Sequence, residues 1–246
     1  MINFFRRIRQ ALLAENKLNR YLLYAVGEIV LVMIGILLAL QVNTWNEGRK
    51  AKKEEIRLLR EFRKDVAFSV NELDTIAKYN ARSVAHLKTI QQHLIEDLPY
   101  SKVLDTAFGG LDVWHMPYLP MTSYETIKVK GIDQISNDRL KTEITKVYEF
   151  ALKYLLEDNG RWEWSFNQNT TQRMMIGHIR RDSDLDSEIA RPNDYEALKQ
   201  NTEFGNFISV LVVLRLSHTT ALNEVKEDMQ ELLHLLDQEL KPFSDD

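Results

Sequence analysis

The chain has 246 residues, 44% of them hydrophobic and 28% charged, with a formal net charge of −4 and no cysteine. These values fit one globular domain with an additional anchor. Without cysteine, a disulfide framework, a thiolate zinc site, an iron–sulfur cluster and a cysteine nucleophile are excluded.

Basic residues are concentrated on both sides of one apolar run. Residues 1–20 hold five Lys or Arg against one Glu, and residues 46–60 hold six against three. The rest of the chain is acidic, with a net charge of about −10. Because an acidic surface repels phosphates, we expect no nucleic-acid partner. The two basic clusters instead match the anionic headgroups of a lipid bilayer.

Residues 1–20 predict an amphipathic helix at the membrane surface. Phe4, Phe5, Ile8 and Leu12 recur at helical spacing, which is typical of a helix lying between headgroups. The basic residues expected to contact the headgroups are Arg6, Arg7, Arg9 and Arg20. A disordered basic tail is the alternative.

Residues 21–43 predict a transmembrane helix. The apolar run "YLLYAVGEIVLVMIGILLALQV" starts at Tyr21, and about 20 apolar residues in a helix span a hydrocarbon core. Tyr24 and Trp45 lie where interfacial aromatic residues are expected. A cleaved signal peptide is the alternative, but no small-residue cleavage pattern follows the run.

Charge alone does not decide the orientation, because basic residues flank both ends of the run. The N-terminal amine and the adjacency of Arg20 favour an N-terminus inside the cytoplasm. Residues 44–246 would then lie outside it, in a single-pass protein of the cytoplasmic (inner) membrane. The opposite orientation, a cytoplasm-facing tether, is the alternative.

The acid inside the apolar run predicts a contact between helices. At about 100° per residue, Glu28, Gly35 and Ala39 point within about 20° of one direction. Small residues four apart allow close backbone approach, and an acid in a membrane needs a donor. We therefore expect a homo-oligomer or a partner transmembrane helix at this stripe. A tolerated acid without a role is the alternative.

Residues 44–246 predict a soluble helical-bundle domain. The expected segments are a long helix to Leu98, a loop over 99–121, a short helix from Thr122 to Gly131, a helix from about 137 that ends at Gly160, a less regular helix after it, a polar connector over 180–192 and a last helix from about Thr202 to Leu240. The β-branched run "ISVLVVLRL" in the last segment leaves a strand open. The predicted fold is all-α: an N-terminal amphipathic helix and a single transmembrane helix that runs into an antiparallel bundle.

Two sequence patterns resemble metal-binding motifs, and neither motif is complete. Glu231 and His234 have the Glu-x-x-His spacing of di-iron bundles, but the second such pair is missing. Carboxylates alternate from Asp182 to Glu188, but Ser187 stands where a calcium loop needs glycine. We therefore predict no metal, cofactor or catalytic residue. His218, on an apolar helix face, is predicted to be a core histidine.

The chain resembles a family of uncharacterised bacterial single-pass membrane proteins. The resemblance rests on "INFFRRIRQALLAENK", on "YAVGEIVLVMIGILLALQVNTWNE" and on "SYETIKVKGIDQISNDRL". It implies an anchor followed by a helical domain, with Glu28 as part of the family pattern. It implies no activity, substrate or catalytic residue.

These observations favour a non-enzymatic membrane-anchored bundle that acts by protein–protein association, as a scaffold or sensor. A ligand-binding or hydrolytic envelope protein is the alternative. Its pocket would gather Trp114, Trp162, Trp164 and His178.

Overall fold

The computed structural model describes residues 18–181 and 188–243. The predicted headgroup contacts of Arg6, Arg7 and Arg9 and the carboxylates Asp182–Asp186 lie outside the described residues. The structure describes the backbone of Arg20 but not its side chain.

Helices account for most of the described residues. The helices and strands are α1 (Leu18–Ile95), α2 (Val103–Gly109), α3 (Thr122–Lys130), α4 (Asp138–Thr145), α5 (Gly160–Phe166), α6 (Gln172–His178), β1 (Ile179–Arg181), β2 (Ala190–Pro192), α7 (Tyr195–Lys199) and α8 (Thr202–Leu240). Short 3₁₀ turns occupy Ile132–Gln134 and Lys241–Phe243, and π-helical turns occupy Lys146–Ala151, Tyr154–Asn159 and Asn167–Thr171. The predicted all-α class is confirmed.

The chain divides into two compact units, Met1–Glu55 and Ile56–Asp246. In the first unit, the apolar side chains of α1 are exposed around the helix, from Leu22 to Trp45. None of its most apolar 18-residue window is buried.

The second unit packs three long helical segments against each other. Helix α8 runs antiparallel to α1, since Gln91 bonds Ser209 at 3.2 Å and Lys226 pairs with Asp74 at 3.3 Å. Buried apolar residues of α1 recur three or four positions apart and include Leu59, Phe62, Val66, Leu73, Val84 and Leu87. The predicted last helix is also confirmed, and "ISVLVVLRL" lies within it.

A continuous helical run from Asp138 to His178 forms the third long segment. It is antiparallel to α8, because Lys146 pairs with Asp228 at 2.7 Å and Arg173 with Glu203 at 2.6 Å. The predicted helix end at Gly160 is therefore wrong. Gly160 has helical dihedral angles, and its missing Cβ leaves room for Met116, whose Cε would lie 2.9 Å away from that Cβ.

Extended chain, rather than a fourth long helix, completes the bundle. Residues 111–121 run back along α1: Asn80 donates to the His115 carbonyl at 3.0 Å, and the Tyr118 N–H donates to Glu72 at 3.3 Å. Pro117 lacks an N–H and keeps the residue before it out of the helical conformation.

The connector over 180–192 contains an unpredicted hairpin. Strands β1 and β2 pair antiparallel, with Arg180 opposite Arg191. Next to it, a Cβ at Gly109 would lie 1.8 Å from the backbone oxygen of Glu188. Glycine is therefore required where α2 meets this part of the chain.

We expect Gly109→Ala to lower the free energy of unfolding by about 1–3 kcal/mol, because the added methyl group must displace backbone. Gly177→Ala is the matched control: a Cβ there meets nothing within 4 Å, so helix propensity should raise stability by about 0.5–1 kcal/mol. Urea unfolding of the full-length protein in detergent, followed by tryptophan fluorescence, measures both. Equal effects would contradict the close approach.

Candidate functional site

A layer of buried polar side chains separates two apolar clusters of the bundle. One cluster includes Leu59–Ile76 of α1 and Ala221–Leu240 of α8. The other includes Leu87 and Ile90 of α1 and the first part of α8. Between them lie the buried side chains of Asn80, Glu163, Asn167, Arg215 and His218.

Arg215 and Glu163 form a fully buried ion pair. The Arg215 Nη1 donates to Glu163 Oε2, and Nη2 donates to the Val113 carbonyl at 3.3 Å. Burial raises the pKa of the Glu163 carboxyl, and the charge of Arg215 opposes that rise. Because arginine keeps its proton in proteins, its buried charge requires the carboxylate beside it.

His218 is bonded through both ring nitrogens, as predicted for a core histidine. Nδ1 contacts Asn159 Oδ1, and Nε2 lies 3.3 Å from the His115 carbonyl. Burial lowers the pKa of His218 to about 4, so the ring is neutral at pH 7. A neutral ring donates through one nitrogen only. Donation from Nε2 therefore requires the Asn159 amide to donate to Nδ1, which a flip of that amide provides.

The layer binds the carbonyls of the extended segment. Asn80 donates to His115 O at 3.0 Å, and Asn167 donates to Asp112 O, also at 3.0 Å. With the contacts of Arg215 and His218, side chains from all three long helical segments reach three carbonyls of residues 112–115. Because this extended segment belongs to no β-sheet, no neighbouring strand donates hydrogen bonds to its carbonyls. The side chains of the layer donate them instead.

The helical run carries one row of four polar residues that faces the layer. Asn159, Glu163, Asn167 and Thr171 follow one another at a spacing of four, and all but Asn159 are buried. Asn159 ends one π-helical turn and Asn167 begins the next. π-helical turns are frequent at functional sites. The sequence signal for this row is the four-residue spacing of its polar side chains, which was not among the predicted features.

A polar cavity of 490 Å³ lies beside the layer. Its lining residues are Tyr79, Arg82, Ser83 and His86 of α1, Thr106, Gly109 and Gly110 at the end of α2, Val113 and His115 of the extended segment, and Arg181 and Glu188 at the hairpin. Such a volume suits a small ligand.

The cavity offers hydrogen-bond donors rather than an activated nucleophile. Within residues 18–181 and 188–243, no hydrogen bond joins Ser83 to His86 or to His115. Burial lowers the pKa of both histidines, and Arg82 acts in the same direction on His86. Both rings are therefore neutral at pH 7.

The predicted membrane stripe lies on α1. Glu28 is partly buried, Gly35 and Ala39 are exposed, and a Cβ at Gly35 would meet nothing within 4 Å. Trp45 is exposed, with the Arg49 guanidinium 5.0 Å from its ring centroid. The association of this stripe and the interfacial position of Trp45 stay predictions.

The four residues of the alternative pocket lie elsewhere than the cavity. Trp162 is 71% exposed and lines an apolar groove of 390 Å³, while Trp164 is also exposed. The His178 ring lies 5.8 Å from the Phe204 ring, and Trp114 is partly buried. The residues that line the polar cavity include none of the four.

Glu231 and His234 lie on a solvated helix face. Glu231 pairs with Arg139 at 3.2 Å, and His234 bonds Gln238 at 2.7 Å. In the part of the chain that the structure describes, no group of three or more His, Asp or Glu residues is placed to hold a metal ion.

The fold and the site define an all-α protein with a polar layer across its core. Within the described residues, two helices, α1 and α8, are long and apolar enough to cross a membrane. Residues 28–173, more than half of the chain, match the Family of unknown function (DUF6090), and the chain belongs to that family. No curated protein and no solved structure matches it.

We expect Arg215→Met to lower the free energy of unfolding by about 3–5 kcal/mol, because it leaves the Glu163 carboxylate buried without its partner. Adding Glu163→Gln should recover a large part of that loss, since no buried charge then remains. A double-mutant cycle by urea unfolding measures the coupling. Additive losses would contradict a coupled pair.

Proposed function

We propose that the protein is a single-pass membrane protein whose bundle acts by association with a second copy, in a scaffold or sensing role. The observation that carries this proposal is the exposure of the apolar run in α1: leucines such as Leu23 and Leu31 are 77% and 68% exposed. Water would solvate this surface at a cost of about 25 cal/mol per Å², whereas a bilayer would cover it.

Helix α8 passes the same test of length and composition for a different reason. Of its most apolar window, 44% is buried inside the bundle. It also carries the buried side chains of Arg215 and His218, which a lipid-facing helix would not tolerate. We therefore assign α8 to the core and the single span to α1.

The proposed location is the cytoplasmic (inner) membrane, with residues 1–20 on the cytoplasmic side and the bundle outside. Arg20 next to the apolar run supports this orientation. The basic residues on both sides of the run would contact anionic headgroups.

Cysteine labelling tests the topology directly, because the natural chain has no cysteine. Lys88 is exposed on α1 within the bundle. We expect Lys88→Cys to react with a membrane-impermeant maleimide in intact cells, and Asn3→Cys to react only after lysis. The reverse pattern would show the opposite orientation, and labelling of both or neither in intact cells would contradict a single span.

The proposed contact within the membrane is the stripe of Glu28, Gly35 and Ala39. Two copies of α1 can approach closely along Gly35 and Ala39, because neither has a large side chain. The carboxyl group of Glu28, near the end of the span, then meets its counterpart or a donor on the second helix.

We expect Gly35→Leu to weaken dimerisation of the full-length protein in lipid bilayers by tenfold or more. The open space around Gly35 means that the change leaves a single copy undisturbed. Gly27→Leu is the matched control: its surroundings are equally open, but it points about 100° away from the stripe. Energy transfer between labelled copies measures association. Equal behaviour of the two variants would contradict the proposed contact.

Exposed apolar residues of the bundle support a second contact between copies. The groove lined by Tyr154, Trp162, Val210 and Val213 is open to solvent. Exposed aromatic residues of this kind are typical of protein interfaces. The exposed residues of α8 between Asn206 and Thr220 are all uncharged, so Asp158 is the charged residue that lines this groove.

Ligand binding is the second candidate function, and the polar cavity favours it. If the protein is a sensor, a small molecule bound in this cavity would be the signal that it detects.

A further inference from the structure

The polar cavity contains hydrogen-bond donors that the protein itself does not use. Among the described residues, the side chains of Tyr79, Ser83 and His86 make no hydrogen bond. The Arg82 guanidinium approaches Glu188 only to 3.8 Å, which is beyond hydrogen-bond distance. Such donors in a concave site are available to a ligand.

Among the lining residues, basic groups outnumber carboxylates by one, and Asp112 just outside the lining pairs with Arg181. Two guanidinium groups, of Arg82 and Arg181, face one carboxylate, of Glu188. Arg181 Nη2 also donates to the Gly109 carbonyl at 2.9 Å and to Asp112 just outside the cavity, which holds its side chain in place. Both histidines of the lining are neutral at pH 7 and add N–H donors without adding charge.

We propose that the cavity binds a small molecule through an oxyanion, a carboxylate or a phosphate. This inference rests on the second candidate function, ligand binding, and is independent of membrane anchoring. Arg82 is placed to supply the charge-assisted hydrogen bonds that oxyanions prefer. The neutral donors around the oxyanion would be Tyr79, Ser83 and His86.

The rest of the ligand has room and a surface to contact. The rings of Tyr79 and His115 lie 5.0 Å apart at an angle of 34° and form one wall. The carboxylate of Glu188 can accept a hydrogen bond from a hydroxyl or amino group of the ligand. A volume of 490 Å³ suits a compact molecule rather than a polymer.

The polar layer fixes the cavity before the ligand arrives. Val113 and His115 line the cavity. Arg215 donates to the Val113 carbonyl, and Asn80 and His218 bond the His115 carbonyl. Preorganised walls lower the entropy cost of binding. The segment that completes the bundle is therefore also the fixed wall of the proposed site.

Titration of the full-length protein in detergent with inorganic phosphate, and separately with citrate, tests the proposal at constant ionic strength. We expect saturable binding by calorimetry and a higher unfolding temperature for at least one of the two anions. Binding of phosphate alone, or of citrate alone, identifies which oxyanion chemistry the cavity takes.

Arg82→Gln should weaken that binding by about tenfold or more, the usual scale for one charge-assisted bond. Its side chain is 62% exposed, and its one contact is an exposed ion pair with Glu188 at 3.8 Å, so the variant should fold like the natural protein. Lys88→Gln is the matched control, since it removes the same charge from an exposed position of α1 outside the cavity.

Failure of both anions to bind saturably would overturn the proposal. So would equal weakening by Arg82→Gln and Lys88→Gln, because it would show nonspecific attraction to net charge. Both outcomes are measured on the full-length protein in detergent and concern a cavity of the bundle, so neither depends on dimerisation or orientation in the membrane.

Discussion

The bundle depends on the hydrogen bonds that buried side chains donate to the carbonyls of residues 112–115. Extended chain inside a helical bundle exposes backbone groups with no helical or sheet partner, and each one left unpaired costs about 1–3 kcal/mol. Asn80, Asn167, Arg215 and His218 supply those partners from three helical segments. The polar layer therefore makes it possible for extended chain, which lies in the predicted loop over 99–121, to pack against three helical segments.

This arrangement also constrains how the helices pack. Two apolar helix faces can shift by one turn relative to each other at modest cost in free energy. The buried ion pair of Arg215 and Glu163 forms in one register only. We interpret the layer as the feature that sets the register of α8 against the run from Asp138 to His178, while the apolar clusters on both sides supply most of the burial. Gly160 contributes by letting Met116 come close to the same run.

The layer and the cavity share the extended segment, which connects stability with the proposed binding site. Val113 and His115 present their carbonyls to the layer and line the cavity at the same time. A ligand beside them would meet a wall that is already hydrogen-bonded. The exposed apolar groove around Trp162 is a separate surface, and its chemistry suits a protein partner rather than an oxyanion.

Local periodicity was enough to predict several features. The buried face with Leu59, Phe62 and Leu73 and the span of α8 follow from residues three or four apart. The apolar run of α1 follows from its unbroken length. The sequence therefore determined all three. The helix through Gly160, the hairpin, the extended segment and the polar layer were decided by tertiary structure. Their contacts join residues far apart in the chain, such as Asn80 with His115 and Glu163 with Arg215. No local pattern reports such a partner, because a buried polar side chain is stable only once the group that satisfies it has been brought beside it.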